Sequence, residues 1–330
     1  MEKRKNGGIA LSIVIPLLNE AESLPELYRR LKETLKAAGF SHEILFIDDG
    51  STDGSWEIIE QLARQDPDVR GFKFRRNFGK SQALHLGFKE ARGDIVITMD
   101  ADLQDDPAEI PALVEMIRQG NDLVSCWKKQ RHDPVLSKNL PSKLFNWAAR
   151  KVSGISLHDF NCGLKAYRAE VVKSIPMYGE MHRFIPFLAK QAGFTKITEK
   201  PVVHHARKYG KTKFGSDRFI KGILDMITMW FLLRFSKRPM YLFGGLGLIM
   251  FFIGFLAVGI ILGVKAWKLY KGIPTHLVTD RPWFYIALTS LLAGIQFFLA
   301  GFLGEMLLQH RKRGGDYSIE RITESNTGEN

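Results

Sequence analysis

Cysteine is scarce in this chain of 330 residues, which has only Cys126 and Cys162. Two cysteines cannot build the disulfide framework that small secreted domains depend on. The N-terminal Met-Glu-Lys-Arg-Lys run is also not followed by the apolar segment of a secretion signal before the first predicted strand. We therefore expect the main domain to stay in the reducing cytosol, without a cleaved leader.

Two common nucleotide-binding patterns are absent as well. The sequence has no G-x-x-x-x-G-K-S/T loop and no G-x-G-x-x-G fingerprint, which argues against a P-loop NTPase and a Rossmann dehydrogenase. What the chain does have is a surplus of basic residues, with a formal net charge of +12. This surplus indicates an anionic partner such as nucleic acid, a membrane surface or a phosphorylated substrate, and composition does not choose between them.

Two long apolar runs lie in the last third of the chain. Residues 241–264 contain no charged side chain, and residues 283–308 contain only Glu305. As helices rising about 1.5 Å per residue, they are long enough to cross a bilayer. The alternative, two core helices of a soluble protein, is disfavoured because both runs are long and nearly uncharged. We predict two transmembrane helices at 241–264 and 283–308, followed by a polar C-terminal tail at 309–330, with both termini on the cytoplasmic side.

The segment 216–236 precedes the first apolar run. Its apolar residues recur at helical spacing and are interrupted by Arg218, Lys221 and Asp225. This pattern is typical of an amphipathic helix lying in the membrane interface. A helix packed against the preceding domain is the open alternative.

Residues 1–215 alternate strand-like and helix-like segments. The predicted strands are Ala10–Pro16, Glu43–Ile47, Gly71–Arg75 and one beginning at Ile95, and the helices run to about Ala38, from about Trp56, and over Ser81–Ala91. Such a series predicts an α/β domain with a mostly parallel sheet, which binds ligands beyond the carboxyl ends of its strands. Polar clusters follow each of these strands, so we expect the functional site there.

The cluster after Ile95 points to a metal. Asp100, Asp102 and Gln104 follow the buried strand at alternate positions of an extended segment, so we expect them to lie on one side, because alternate residues of a strand share a side. Their oxygen atoms suit a hard cation such as Mg²⁺ or Mn²⁺. An acidic turn that caps the helix near Pro107 is the structural alternative.

Two further carboxylates follow the first two strands. Asp49 could accept a hydrogen bond from a nucleobase ring N–H, and Glu20 could accept one from a ribose hydroxyl. The run from Asp48 to Ser55 also has the composition of a turn and helix N-cap, so a purely structural role stays open, above all for Asp53.

Four motifs together resemble the family-2 inverting glycosyltransferases, in the polyprenyl-phosphate branch that includes dolichol-phosphate mannose synthase. They are Ile13-Val-Ile-Pro-Leu-Leu-Asn-Glu20, Phe46-Ile-Asp-Asp-Gly-Ser-Thr-Asp-Gly54, Arg76-Asn-Phe-Gly-Lys80 and Met99-Asp-Ala-Asp-Leu-Gln-Asp105. The segments Asp159-Phe-Asn-Cys-Gly163 and Arg207-Lys-Tyr-Gly210 and the two apolar runs fit the bacterial membrane-anchored members. The resemblance thus covers about residues 10 to 310.

The resemblance implies a GT-A domain, a nucleotide-diphosphate sugar donor, with UDP favoured over GDP as the nucleotide, and a polyprenyl-phosphate acceptor such as undecaprenyl phosphate. It also implies a bacterial inner-membrane protein with a cytoplasmic catalytic domain, no nucleic-acid partner, and compatibility with a homo-oligomer. The residues that it assigns to the donor are Pro16, Glu20, Asp49, Lys80 and Asp100, and those assigned to Mg²⁺ or Mn²⁺ are Asp100, Asp102 and Gln104. The catalytic residues that it implies are Asp159, Arg207 and Lys213, with Arg183 and Arg207 as candidates for the acceptor phosphate.

Two other functions remain compatible with these residues. One is a glycolipid synthase that acts on a lipid hydroxyl, for which Asp159 must be a true general base. The other is a non-catalytic membrane scaffold that helps to translocate lipid-linked sugars, against which the intact Asp-Ala-Asp-Leu-Gln cluster argues. A nucleophilic pair of His158 and Cys162 is disfavoured because no third residue to orient it is evident.

Overall fold

The computed structural model describes residues 9–128, 146–147, 149–151, 153–175, 177, 181–203, 209, 231, 235, 238–310 and 319–322. The chain forms two compact units. The first comprises Met1–Met226 and Arg313–Asn330, and the second comprises Ile227–Lys312.

The first unit is an α/β domain. Its strands are β1 (Leu11–Leu17), β2 (His42–Asp48), β3 (Val69–Phe74), β4 (Ile95–Thr98), β5 (Leu123–Lys128), β6 (Lys165–Arg168), β7 (Ile197–Val202) and β8 (Ile319–Ile322). Its helices are α1 (Leu24–Ala38), α2 (Ser55–Gln65), α3 (Lys80–Glu90), α4 (Ile110–Arg118), α5 (Ala169–Ser174) and α6 (Ile185–Gln191). The strands and helices predicted up to residue 91 agree with these bounds to within two residues.

The described strands form one sheet with the order β7-β5-β6-β4-β1-β2-β3-β8. Strands β1 to β4 are mutually parallel, and β5 and β7 are parallel to each other. Strand β6 lies antiparallel between β4 and β5, and β8 is antiparallel to β3. The predicted mostly parallel sheet is therefore confirmed, with two strands that run against the others.

Local sequence explains why the early elements form. Every residue of β1 is buried, as expected of a strand covered on both faces. Helix α1 begins with a proline in its first turn and buries Leu24, Leu27, Leu31 and Leu35 at intervals of three and four residues. It ends at Gly39, whose φ of 66° is the left-handed conformation that glycine adopts without strain.

Strand β8 lies in the segment 309–330, which the sequence analysis describes only as a polar tail. It pairs with the edge strand β3, with Phe72 opposite Ile322 and Lys73 opposite Arg321. The chain therefore returns to the sheet of the first unit after both apolar runs. Pairing of this kind covers backbone groups that an edge strand would otherwise expose.

The second unit contains two long apolar helices, α7 (Met240–Tyr270) and α8 (Pro282–His310). Both are long and apolar enough to cross a membrane. Phe252, Leu256 and Leu307 are 61%, 65% and 72% exposed, whereas a core helix of a soluble protein would bury such side chains. The two helices approach closely at glycines, since a Cβ at Gly247 would lie 2.6 Å from the Gly294 carbonyl oxygen. The predicted interfacial helix at 216–236 lies outside the described residues apart from Phe231 and Phe235.

Candidate active site

The carboxyl ends of β1, β2 and β4 lie side by side at one edge of the sheet. The parallel registers place Leu17 opposite Asp48 and Val14 opposite Thr98. The loops that follow these strands therefore start at the same edge, as predicted for a ligand site of a parallel sheet.

Asp49 ties the loop after β3 to this edge. It is 5% exposed, and its carboxylate accepts hydrogen bonds from the backbone N–H of Phe78 at 2.7 Å and of Gly79 at 3.0 Å. Burial raises the pKa of Asp49 to about 6, although the two backbone hydrogen bonds act in the opposite direction. Gly50 completes the close approach, because a Cβ there would lie 2.7 Å from the Arg76 carbonyl carbon.

The run from Ser51 to Ser55 supports the loop after β1. Asn19 donates its backbone N–H to the Ser51 hydroxyl, and its side-chain oxygen accepts from the Thr52 N–H, each at 2.8 Å. Asp53 accepts from the Ala21 backbone N–H and from the Ser55 hydroxyl. These contacts favour the structural alternative for Asp53, which holds two loops together. Glu20 lies in the same loop, and its backbone N–H donates to the Ser55 hydroxyl at 3.0 Å.

The segment after β4 is not extended, so the argument that placed Asp100, Asp102 and Gln104 on one side of a strand is wrong. Strand β4 ends at Thr98, and the chain turns at residues 101–103. Leu103 has a φ of 60°, and the Asp102 carboxylate accepts from the Gln104 backbone N–H at 3.2 Å. This local hydrogen bond stabilises the turn at the expense of the strand. The assignment of the three residues to a metal stays a prediction.

A cation at this turn would need ligands from a diphosphate as well as from the protein. Among the described residues there is no group of three or more His, Cys, Asp or Glu side chains that could hold a metal ion alone. Mg²⁺ at phosphate sites needs only one or two carboxylates, because phosphate oxygens and water complete its shell. Asp100 keeps 30% of its side chain exposed, so it is accessible to such an ion.

Asp100 lies between two close neighbours. The Lys80 ammonium, at the start of α3, donates to Oδ1 at 2.5 Å, and a Cβ at Gly163 would lie 2.4 Å from Oδ2. Burial acts to raise the pKa of Asp100, but the charge and hydrogen bond of Lys80 outweigh it and lower that pKa below its ordinary value. Asp100 is therefore held as a carboxylate.

A pocket opens beside Asp100. Its lining includes Pro16, Lys80, Asp100, Lys165, His182 and Arg183. The structure thus brings together four of the residues that the sequence analysis assigned, namely Pro16, Lys80, Asp100 and Arg183. It adds Lys165 and His182, which the sequence analysis missed.

His182 is held as a neutral ring. Its backbone N–H donates to the Ser81 hydroxyl at 3.0 Å, and the same hydroxyl lies 3.0 Å from Nδ1. Because the Ser81 oxygen accepts from the backbone, its own proton is available to Nδ1, which is then an acceptor. Burial, with the Lys80 and Arg183 cations nearby, holds the pKa of His182 well below its ordinary value.

Asp159 lies in the segment that leads into β6. It is buried, and its carboxylate accepts from the Asn161 backbone N–H at 3.0 Å. The neighbouring His158 pairs with Glu199 and stacks on Trp127 at a ring distance of 4.2 Å. Burial raises the pKa of the Cys162 thiol to about 12, so the thiol stays protonated. These contacts agree with the sequence argument against a nucleophilic pair of His158 and Cys162.

The remaining basic residues of the predicted site, Arg207 and Lys213, lie outside the described residues, and their roles stay predictions.

Comparison with known proteins identifies relatives over nearly the whole chain. Residues 12–175 match the family described as "Glycosyl transferase family 2". A dodecaprenyl-phosphate galacturonate synthase from Rhizobium johnstonii is 36% identical over 91% of this chain and 88% of its own length. An undecaprenyl-phosphate 4-deoxy-4-formamido-L-arabinose transferase from Pseudomonas fluorescens is 35% identical over 90% of this chain and 84% of its own length.

Solved structures with the same fold include two enzymes at low sequence identity. Mannosyl-3-phosphoglycerate synthase from Rubrobacter xylanophilus aligns with a TM-score of 0.55 and 17% identity, over 68% of this chain and 74% of that one. Glucosyl-3-phosphoglycerate synthase from Mycobacterium tuberculosis, in complex with Mn²⁺, UDP-glucose and phosphoglyceric acid, aligns with a TM-score of 0.51 and 20% identity, over 67% and 80%. These similarities support the GT-A architecture of the first unit.

Proposed function

This chain belongs to glycosyltransferase family 2, and we propose that it transfers a sugar from a nucleotide-diphosphate sugar, most simply a UDP-sugar, to a membrane polyprenyl phosphate such as undecaprenyl phosphate. Both relatives named above carry a polyprenyl phosphate in their names, and their similarity spans about nine-tenths of this chain. The match therefore extends past the catalytic unit into the two apolar helices.

The observation that carries the proposal is the pocket beside Asp100, whose lining also includes Lys80 and Arg183. Attack on an anomeric carbon releases a nucleoside diphosphate, so negative charge grows on the leaving group as the bond breaks. Basic side chains that are already in place stabilise that charge without reorganisation. The guanidinium of Arg183 suits two phosphate oxygens at once, whereas Lys80 acts as a point charge.

In this scheme each side chain has a defined task. Asp49 accepts from the nucleobase ring N–H, and Glu20 accepts from the ribose. Asp100 and Asp102 with Gln104 would hold Mg²⁺ or Mn²⁺, and the ion would supply Lewis-acid stabilisation of the leaving diphosphate. A single displacement inverts the anomeric centre. The Mn²⁺ complex of the glucosyl-3-phosphoglycerate synthase agrees with a divalent ion, although that protein shares only the fold.

The acceptor decides how much proton transfer the reaction needs. A phosphate monoester is already ionised near neutral pH, so Asp159 orients the acceptor phosphate more than it removes a proton. A lipid hydroxyl would instead require Asp159 as a general base.

In this proposal the two apolar helices anchor the protein in the membrane that contains the acceptor lipid. A polyprenyl phosphate keeps its chain in the bilayer, so an anchored catalytic unit meets it at high effective concentration. Because β8 follows α8 and pairs with β3, the two ends of the helix pair connect to the same catalytic unit. This connectivity supports a cytoplasmic catalytic unit and an extracytoplasmic loop between the helices.

The direct test is transfer by the full-length protein in detergent or membranes. Undecaprenyl phosphate is supplied with a panel of UDP- and GDP-sugars, and lipid products are identified by mass spectrometry. We expect one glycosyl phospholipid, loss of product in EDTA, and loss with Asp102→Ala in a protein that remains folded. Asp106→Ala is the matched control, because Asp106 caps the next short helix by accepting from the Ala108 N–H.

Two outcomes would contradict the proposed acceptor or activity, and two more would contradict the metal assignment. Product formed only on diacylglycerol would favour the glycolipid synthase, and no transfer to either acceptor with any donor would favour the scaffold. Full activity in EDTA, or full activity of Asp102→Ala, would refute the metal assignment.

A further inference from the structure

Lys165 is a buried cation at the centre of the site. It is the first residue of β6, opposite Thr98 on β4 and Ser125 on β5, and it is 3% exposed. Its ammonium donates to the Cys162 carbonyl oxygen, and it lines the same pocket as Asp100 and Arg183. The antiparallel strand β6 therefore carries a positive charge into the carboxyl edge of the parallel strands.

This ammonium has no counter-ion among the described residues. Its hydrogen-bond partner there is a neutral carbonyl, and the Cys162 thiol stays protonated because burial raises its pKa to about 12. The other buried or half-buried lysines of this region are paired, Lys80 with Asp100 and Lys128 with Asp105 at 3.0 Å. Burial lowers the pKa of Lys165 below its ordinary value, although Asp159 and Asp100 oppose this effect.

Burial of a cation without a counter-ion destabilises the folded protein. The cation loses its interactions with water, and its contacts with protein atoms replace only part of them. An ammonium has three N–H donors, and one of those of Lys165 is used by the Cys162 carbonyl. The other two are available to a ligand in the pocket. An anion with several oxygen acceptors would satisfy both the charge and the donors.

We propose that Lys165 is a phosphate-binding residue of the transferase, which supplies a buried positive charge to a phosphate group of one of the two reactants. This inference rests on the proposed function, since the phosphate comes either from the leaving nucleoside diphosphate or from the polyprenyl phosphate. Lys165 then completes a set of basic residues around the reaction centre, together with Lys80 and Arg183.

The test compares Lys165→Met with the wild type as full-length proteins in detergent. Met has a similar length and no charge, so the variant keeps the packing of β6 and removes the unpaired cation. Melting temperatures and affinities are measured with UDP, with farnesyl phosphate as a short polyprenyl phosphate, and with uridine, which has no phosphate. Lys173→Met is the matched control, because Lys173 donates to the Lys89 and Ala91 carbonyls away from the pocket.

We expect Lys165→Met to be at least as stable as the wild type without ligand, and to lose about tenfold or more in affinity for one phosphate ligand. Loss for UDP assigns the leaving diphosphate, and loss for farnesyl phosphate assigns the acceptor. Uridine binding should be unchanged, Lys165→Arg should keep most of the affinity, and Lys173→Met should bind all ligands normally.

Unchanged affinity of Lys165→Met for both UDP and farnesyl phosphate would overturn this inference. If the wild type itself binds neither, the proposed function fails, which is a separate result. Should Lys165→Met fail to fold, Lys165→Gln provides the second measurement with the same three ligands, since glutamine also removes the charge and can still donate to the Cys162 carbonyl. Weaker binding of UDP or farnesyl phosphate by this variant, with unchanged uridine binding, supports the inference, and unchanged affinity for both phosphates overturns it.

Discussion

Gly163 and Asp100 are packed so closely that a Cβ at position 163 would lie 2.4 Å from Oδ2 of Asp100 and 2.5 Å from its Cγ. Real Cβ atoms do not approach other atoms to this distance, so the carboxylate or the backbone would have to move. Glycine at position 163 therefore lets the Asp159–Gly163 segment pass beside Asp100 without displacing its carboxylate. The contact couples two motifs that lie about 60 residues apart in the sequence.

The Gly163→Ala variant should consequently lose activity without losing its fold. The added methyl group displaces the Asp100 carboxylate, and a shift of about 1 Å at a reacting centre can cost about 10²-fold in rate. Transfer rates and Mn²⁺ affinity, with circular dichroism as a check of folding, provide the measurement. Gly259→Ala in α7 is the matched control, because a Cβ there has no neighbour within 4 Å. Normal Mn²⁺ binding and turnover by Gly163→Ala would contradict the assignment of Asp100.

Nucleotide binding should weaken as the pH falls through about 6. The pKa of Asp49 is raised to about 6 by burial, and only its ionised form can accept from both the loop N–H groups and a nucleobase N–H. UDP affinity is measured by calorimetry between pH 5 and 8 for the wild type and for Asp49→Asn. Titration of the UDP phosphates affects both proteins equally, so the difference between the curves isolates Asp49. If UDP affinity changes with pH in the same way for the wild type and for Asp49→Asn, Asp49 does not bind the nucleobase.

The raised pKa of Asp49 also makes the stability of the folded protein depend on pH. The folded-state pKa of Asp49 lies above the value of an unfolded aspartate, so the folded protein binds the proton more tightly. The unfavourable contribution of the buried carboxylate is absent below about pH 4 and grows as the pH rises to about 6. Asp49→Asn removes this dependence, which denaturant unfolding at several pH values would detect.

Asp159→Asn should lower turnover and leave donor binding nearly intact. The amide oxygen of asparagine can still accept from the Asn161 N–H, so the turn before β6 should persist. With a phosphate acceptor we expect a loss at or below the lower end of the roughly 10²- to 10⁴-fold contribution of a general base. Single-turnover rates and UDP-sugar affinities separate the two effects. Loss of donor binding would instead assign Asp159 to the donor site, and a loss of 10⁴-fold would favour a hydroxyl acceptor.

Removal of the apolar helices should separate donor binding from lipid transfer. A chain that ends at Lys213 keeps the described residues assigned to the donor, so it should bind a UDP-sugar with Mn²⁺ or Mg²⁺. It should transfer poorly to membrane-embedded polyprenyl phosphate, because anchoring supplies effective concentration. Undiminished transfer would mean that the catalytic unit finds the lipid unaided.

That shortened chain also lacks β8, so it needs a matched control. A chain that ends at Lys312 keeps both apolar helices and loses residues 313–330, which include the strand that pairs with β3. We expect this control to retain transfer and to aggregate more readily, since the edge of β3 is then exposed. If it loses transfer as completely as the shorter chain, the effect belongs to β8 and not to the anchor.

Much of the site could be predicted because its parts are local in sequence. An apolar strand followed by Asp49 or by Asp100 places each carboxylate at the carboxyl edge, whatever the rest of the chain does. The turn at residues 101–103 was missed because alternation was extended past Thr98. The positive φ of Leu103 and the hydrogen bond from the Gln104 N–H to Asp102 hold the segment beyond the strand in a turn, and a pattern of apolar residues does not predict such a bond.

The amino-acid sequence by itself determined the series of parallel strands, the edge at which the polar clusters collect, and the two apolar helices, because each depends on residues that are contiguous in the chain. Only the tertiary structure decided that β6 carries Lys165 between β4 and β5, that Ser81 fixes the ring of His182 about 100 residues away, and that β8 returns to β3. These features depend on backbone pairing and side-chain contacts between segments that are far apart in the sequence. Such contacts contribute to the free energy of folding only once the sheet has brought those segments together.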